Sequence, residues 1–165
     1  MGSYFATHKL AVRLVLREAN TSDAIVLAQL NAAASVHPWS ASQFDFDAEC
    51  ILLIEADAQP RGFIVFSYVL EVASILNIAV HPDSQRRGMA AQLLRAAFRS
   101  MGEVGVDRCL LEVRSSNRGA SALYENFGFQ VDAIRKNYYP AKTGREDAIL
   151  MSKNLLNPTH VGSHT

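Results

Sequence analysis

Residues 74–101 constrain this chain of 165 residues most. Ser74-Ile75-Leu76-Asn77-Ile78-Ala79-Val80 is strongly β-prone and halts at Pro82, which cannot continue a ladder. A polar loop follows through Arg87. From Gly88 onward Met89, Leu93, Leu94, Ala97, Phe98 and Met101 recur at helical spacing, with Arg95 and Arg99 on the opposite face. A strand that feeds directly into an amphipathic helix lays that helix on a face of its sheet.

The remaining segments extend the same pattern. Val12, Leu14 and Leu16 alternate with Arg13 and Arg17 as a half-buried strand ending near Glu18. Thr21-Ser22-Asp23 caps a helix that carries Ile25, Leu27, Ala28, Leu30 and Ala34 and closes before Pro38. After a Pro38-Trp39-Ser40 loop, a short amphipathic helix is expected over 41–49. Strands at 50–56 and 63–69 flank a Gln59-Pro60-Arg61-Gly62 turn. Residues 108–114 read as a strand, Ser116-Asn117 as a cap, 120–127 as a helix with Gly128 at its C′ position, and 129–134 and 146–151 as strands. The expected order is β-α-α-β-β-β-α-β-α-β-β, an α/β class with a mixed (α+β) sheet and helices on its faces. One domain over 1–154 accounts for it, with 155–165 as a flexible, polar C-terminal tail.

Composition removes several function classes. Sixteen Lys and Arg balance sixteen Asp and Glu, so there is no basic footprint of a direct nucleic-acid binder. The longest apolar runs are strand-sized, which argues against a membrane partner. Met1-Gly2 opens like a myristoylation signal, but Ala6 stands where Ser or Thr is needed, and no secretory signal precedes the first strand. A cytoplasmic location is expected. Cys50 and Cys109 sit far apart in apolar, strand-like contexts and read as inert core thiols. The five histidines show no metal-ligand spacing, so no metal is expected.

Three features carry chemistry. Gln85-Arg86-Arg87-Gly88-Met89-Ala90 opens a helix, where orphan N–H groups and the positive end of the macrodipole suit a pyrophosphate and the arginines add charge. The plain alternative is an ordinary strand-to-helix turn with exposed arginines. Glu112 interrupts the apolar strand Leu110-Leu111-Glu112-Val113-Arg114. It reads either as a general base in a desolvated place or as a surface carboxylate paired with a cation of the next strand. Tyr124 belongs to an amphipathic helix with Ala120, Leu123 and Phe127, its hydroxyl at the rim. Asn117 serves as a helix cap and can also touch a ligand.

Taken together, Asn77-Ile78-Ala79-Val80, the 85–90 loop, Leu111-Glu112-Val113-Arg114, Ser116-Asn117 and Ala122-Leu123-Tyr124-Glu125-Asn126-Phe127-Gly128-Phe129 resemble the GNAT acetyltransferases in order and spacing. His37-Pro38-Trp39-Ser40, Arg135-Lys136-Asn137-Tyr138-Tyr139-Pro140 and Gly144-Arg145-Glu146-Asp147-Ala148 are similar to the RimI branch, the bacterial ribosomal-protein-alanine N-acetyltransferases. The likeness is close over 37–153. Ala90 stands where a second glycine is common, and Arg118-Gly119 replace the small, helix-favouring residues usual after the Asn.

The resemblance implies the GNAT acyl-CoA N-acyltransferase fold and direct attack of an amine on acetyl-CoA in a ternary complex, with no metal. Backbone groups of Ile78, Ala79 and Val80 would hold the pantetheine and polarise the thioester. Gln85, Arg86, Arg87, Gly88, Met89, Ala90 and Ala91 would wrap the pyrophosphate, and Asn117 would contact the CoA arm. Glu112 would act as general base and Tyr124 as proton donor to the thiolate. Trp39, Tyr138 and Tyr139 would line the acceptor pocket, with Tyr138-Tyr139-Pro140 as a loop. The expected acceptor is a protein N-terminal amine, with the Ala of a small-subunit ribosomal protein leading and a monomeric enzyme favoured. Broader N-terminal or lysine ε-amine acetylation is the alternative within enzymes, and a non-catalytic acyl-CoA sensor the alternative outside them.

Overall fold

Seven strands form one sheet in the computed structural model, which describes residues 11–156. The chain runs β1 (Leu14–Glu18), α1 (Ala24–Ala34), β2 (Cys50–Ala56), β3 (Gln59–Val69), β4 (Val72–Val80), α2 (Met89–Glu103), β5 (Arg108–Arg114), α3 (Arg118–Asn126), β6 (Gln130–Pro140) and β7 (Arg145–Asn154). Sheet order is β1-β2-β3-β4-β5-β7-β6, and β4 with β5 is the one parallel pair. The α2 crossover makes that pair parallel, because a strand can return in the same direction only through a long connection.

The helices divide between the two faces. On one face, α2 buries Met89, Leu93, Leu94, Ala97 and Met101 against Ile54, Ile64, Phe66, Ile75, Cys109, Leu111 and Met151, and Tyr124 and Phe129 join the same core. Each Leu fully buried there contributes about 1.5–3 kcal/mol. On the other face α1 sets Leu27 and Leu30 against Ile51, Leu53, Phe63, Val65 and Ala79. Arg17 ties this side together by pairing with Asp23, just ahead of α1, and with Glu55 on β2, each at 2.9 Å.

Three sequence expectations are corrected. The helix over 41–49 is a 3-10 turn at Ala41–Gln43 followed by a loop, so the order is β-α-β-β-β-α-β-α-β-β. The Asp45 side chain accepts the Asp47 and Ala48 N–H groups, and Phe44 takes an extended backbone that drops its ring into the α1 core. Short polar side chains that bond the nearby backbone compete with a helix in this way. The β2–β3 turn lies at Asp57-Ala58, both at positive φ, as a two-residue hairpin requires, and Pro60 to Gly62 already belong to β3. A register shift there makes Arg61 a bulge, and a Cβ at Gly62 would come within 2.8 Å of the Ala79 carbonyl oxygen. Third, Tyr138-Tyr139-Pro140 is the end of β6 and not a loop.

Of the tail expected from residue 155, Leu155 donates its N–H to the Asp107 carbonyl and packs against the main core. Residues 157–165 lie outside the described residues.

Candidate active site

The site begins where the parallel pair comes apart. β4 and β5 are paired from Val72↔Arg108 to Ile75↔Leu111 and no further. At the next residue β4 carries a bulge, since Val65 opposes Asn77 while Phe66 opposes Ile75, leaving Leu76 without a partner on β3. A bulge bends its strand. Beyond it, residues 76–80 on β4 and 112–114 on β5 diverge around a cavity of about 560 Å³. Ile78 lines it, and beyond Ile75 the edge of β4 facing β5 has no strand partner among the described residues. Ala79 and Val80 follow along β4 with their side chains buried, at 6% and 8% exposure, the Ala79 carbonyl turned toward β3 and the Val80 carbonyl bonded by Gln85.

Glu112 stands at the mouth of this opening. Strand alternation turns Leu111 and Val113 into the α2 core and Glu112 to the other face, where 28% of its side chain is exposed. The Tyr139 hydroxyl donates to Oε1 at 2.5 Å and Arg135 Nη1 donates to Oε2 at 3.3 Å. Tyr139 is itself clamped. The Arg114 guanidinium lies 4.2 Å from its ring centroid, and Arg114 also donates to the Pro140 carbonyl and to Glu146. Bonds from Ser116 and Arg114 hold the Glu146 carboxyl down at about 2. Burial first, then the bond to Glu112, raises the Tyr139 phenol above its ordinary value, so it stays a donor.

A wide bulge in β6 brings Tyr139 to this position. Arg135 pairs with Ala148 and Tyr139 with Glu146, so three β6 residues bow out opposite Asp147. Asp147 accepts from the Lys136 ammonium and the Asn137 N–H, and Arg145 donates to the Asn137 and Tyr138 carbonyls. Asn137 sits at φ 50°, the left-handed conformation that Asn tolerates.

Tyr124 reaches the cavity from α3 on the opposite face. Its ring is buried edge-on against Phe129, and burial raises its phenol well above the ordinary value. Buried side-chain oxygens among the described residues all have partners, and the Tyr124 hydroxyl makes no hydrogen bond to protein, so it opens into the cleft. Asn117 caps α3 by accepting the Ala120 N–H at 3.2 Å, as expected, and also lines the cavity. The helix starts at Arg118 despite Gly119. Cys109 is buried, with its thiol pushed up to about 12, and half-buried Cys50 is also raised, so neither carries thiolate character.

The loop that leads into α2 is built as a nest. Arg86 at φ 60° and Gly88 at φ 77° turn the backbone into α2, and Gly88 is its N-cap with no side-chain cap bond. The N–H groups of Met89, Ala90 and Ala91 belong to the uncapped first turn. A Cβ on Gly88 would meet nothing within 4 Å, so the ground above the helix end is open for an anion. Arg86 and Arg87 are exposed beside it, while Met89 turns inward to the core. Gln85 differs from its neighbours. Its side-chain amide donates to the Val80 carbonyl at 3.0 Å and couples the loop to the end of β4.

Trp39 and Tyr139 line the same cavity, whereas Tyr138 stacks edge-on against Tyr139 and stays 43% exposed outside it. Trp39 packs on Phe44, and its backbone N–H donates to the side-chain oxygen of buried Asn31, which also accepts from Asn77 of β4. Sequence reasoning missed Asn31 and Asn77 as supports of this wall. Asn31 falls at the inward helical spacing of Leu27 and Leu30, a signal that was available. It also missed Arg114 and Arg135, whose partners are set by register.

A sheet split at a bulge, with a carboxylate on one side, a phenol on the other and an anion nest at the next helix, defines a class. The chain belongs to the acetyltransferase (GNAT) family, whose model matches residues 18–129. It is 40% identical over 136 residues to the [ribosomal protein bS18]-alanine N-acetyltransferase of Salmonella typhimurium, covering 81% of this chain and 92% of that one. Against the enzyme of the same name from Escherichia coli K12 the figures are 38% over 135 residues, 80% and 91%. The crystal structure of the ribosomal-protein-S18-alanine N-acetyltransferase from Escherichia coli superposes with a TM-score of 0.84 at 32% identity, covering 92% of this chain and all of that one.

Proposed function

We propose that this acetyltransferase moves acetyl from acetyl-CoA to the N-terminal α-amine of a small-subunit ribosomal protein, Ala being the preferred first residue. The observation that carries the reading is that Glu112 and Tyr124 line one cleft between β4 and β5. The names of the relatives supply the acceptor.

In this reading the pyrophosphate lies on the α2 N-terminus, flanked by Arg86 and Arg87, and the pantetheine runs along residues 78–80 to the split. Asn117 contacts the arm, and Gln85 acts by holding the loop. The acceptor enters past Trp39 and Tyr139. An α-amine titrates at about 7.7–8.0, so a sizeable fraction is protonated at neutral pH and must lose its proton before attack. Glu112 takes that proton, directly or through a water. The nitrogen then attacks the thioester carbonyl, the C–N bond forms and the C–S bond breaks. The second proton that the nitrogen sheds to become an amide passes through water to the departing sulfur, which leaves as the CoA thiol. An alkyl thiol titrates near 8.5, below the raised Tyr124, so full transfer from the phenol is uphill at first. Tyr124 therefore acts chiefly as a hydrogen-bond donor that strengthens as charge builds on sulfur.

No helix among the described residues is long and apolar enough to cross a membrane; the cytoplasmic location in this reading follows from the ribosomal acceptor. The test incubates the protein with acetyl-CoA and an Ala-starting peptide containing an internal lysine, and locates the acetyl group by mass spectrometry. Acetyl on the α-amine is expected. Acetyl on lysine alone, or CoA binding without turnover, would overturn the reading. Glu112→Gln should lower kcat by roughly 10²–10⁴-fold with acetyl-CoA affinity retained.

A further inference from the structure

A second cavity of about 600 Å³ adjoins the active cleft and shares Glu112 and Tyr139 with it. It lies on the acceptor face of the sheet. Cys109, Leu111 and Met151 turn into the α2 core, so Leu110 and Leu150 between them point the other way. The α1 core covers β2 to β4 on that face and does not extend over Leu110 or Leu150. They form an apolar floor with Leu76, walled by Asp132, Arg135 and Tyr139 of β6. Charge on the walls is compensated internally. Arg135 pairs with Glu112, and Arg108 with Asp132 at 3.4 Å at the far end.

We propose that this cavity is a subsite for an apolar side chain at the third or fourth residue of the acceptor chain. The inference rests on the N-terminal acetylation proposed above. An amine placed at Glu112 leaves the rest of the acceptor to run along β5, because the nest and α3 hold the other face for acetyl-CoA. Both chains rise about 3.3 Å per residue, so the third and fourth residues, roughly 7–10 Å on, pass over Leu110 and Leu150. An apolar side chain there loses water without stranding a charge, whereas a polar one gains no free partner.

The experiment measures kcat/KM for Ala-starting hexapeptides carrying Leu or Gln at each of positions three to six, alongside an Ala-starting dipeptide amide. Wild type should favour Leu over Gln by roughly tenfold at position three or four and not at five or six. Leu110→Gln should shrink that preference while keeping dipeptide turnover, which also reports folding. Leu150→Gln provides the second variant. Equal rates for Leu and Gln at positions three and four, with the α-amine still acetylated, would overturn the subsite alone. Absence of α-amine acetylation on every peptide, dipeptide included, would overturn the function reading beneath it.

Discussion

Replacing Tyr139 by Phe removes one atom from the site and isolates what that atom does. The ring remains, and so does its stack with Arg114 at 4.2 Å. Lost is the donor that meets Glu112 Oε1 at 2.5 Å. A hydrogen bond to a charged group contributes about 1.5–3 kcal/mol where water is excluded. Because 28% of the Glu112 side chain is exposed, water replaces part of it, and the stability loss should stay near 1 kcal/mol. For a domain of this size that lowers Tm by about 2–4 °C. Catalysis should suffer more, since Glu112 then turns about its own torsions with only Arg135 to hold it. If most of that orienting energy is lost from the transition state, kcat falls roughly 10- to 100-fold. Steady-state release of the CoA thiol, with acceptor and acetyl-CoA varied separately, measures it, and KM for acetyl-CoA should not move. A pH profile separates positioning from general damage. The Tyr139 phenol is raised above its ordinary value, so wild type should show no alkaline limb from it, and the Phe variant should keep the same profile at reduced height. A kcat within about twofold of wild type, under conditions where Glu112→Gln is crippled, would refute the positioning argument.

Tyr124→Phe keeps the packing on Phe129 and should lower kcat by roughly 10–10³-fold without shifting Tm; unchanged turnover would leave the residue a core tyrosine only. Arg17→Ala leaves Asp23 and Glu55 facing each other, and should cost about 2 kcal/mol and about 4–8 °C in a thermal melt, with kcat intact in the folded fraction. The Glu146 carboxyl titrates at about 2 in the folded chain against an ordinary 4.5. Its stabilising effect is therefore complete above about 4.5 and is lost as pH falls toward about 2, and Glu146→Gln should flatten that part of an acid-unfolding curve.

How much of this was legible in the chain differs from element to element. The helical period from Met89 to Met101, the β-prone run before Pro82 and the alternation in 108–114 are local patterns, and local patterns survive folding when burial agrees with them. The same alternation put Glu112 on the face opposite Leu111, and the order of motifs carried the family. The 41–49 segment failed because its amphipathic spacing competed with the Asp45 side chain, which satisfies nearby N–H groups and frees Phe44 for the core. The β2–β3 turn failed because Pro60 and Gly62, turn residues by habit, mark a bulge and a close approach to Ala79.

The split between β4 and β5 depends on the Leu76 bulge, a register event between two strands that neither strand encodes alone. The grip on Glu112 likewise depends on the β6 bulge, through which Tyr139 and Arg135 arrive from more than twenty residues away. The sequence by itself determined which residues alternate, which repeat at helical spacing and which carry charge. Only the tertiary structure decided which of them meet, because strand register is set by the summed burial of both faces and not by any residue's own preference.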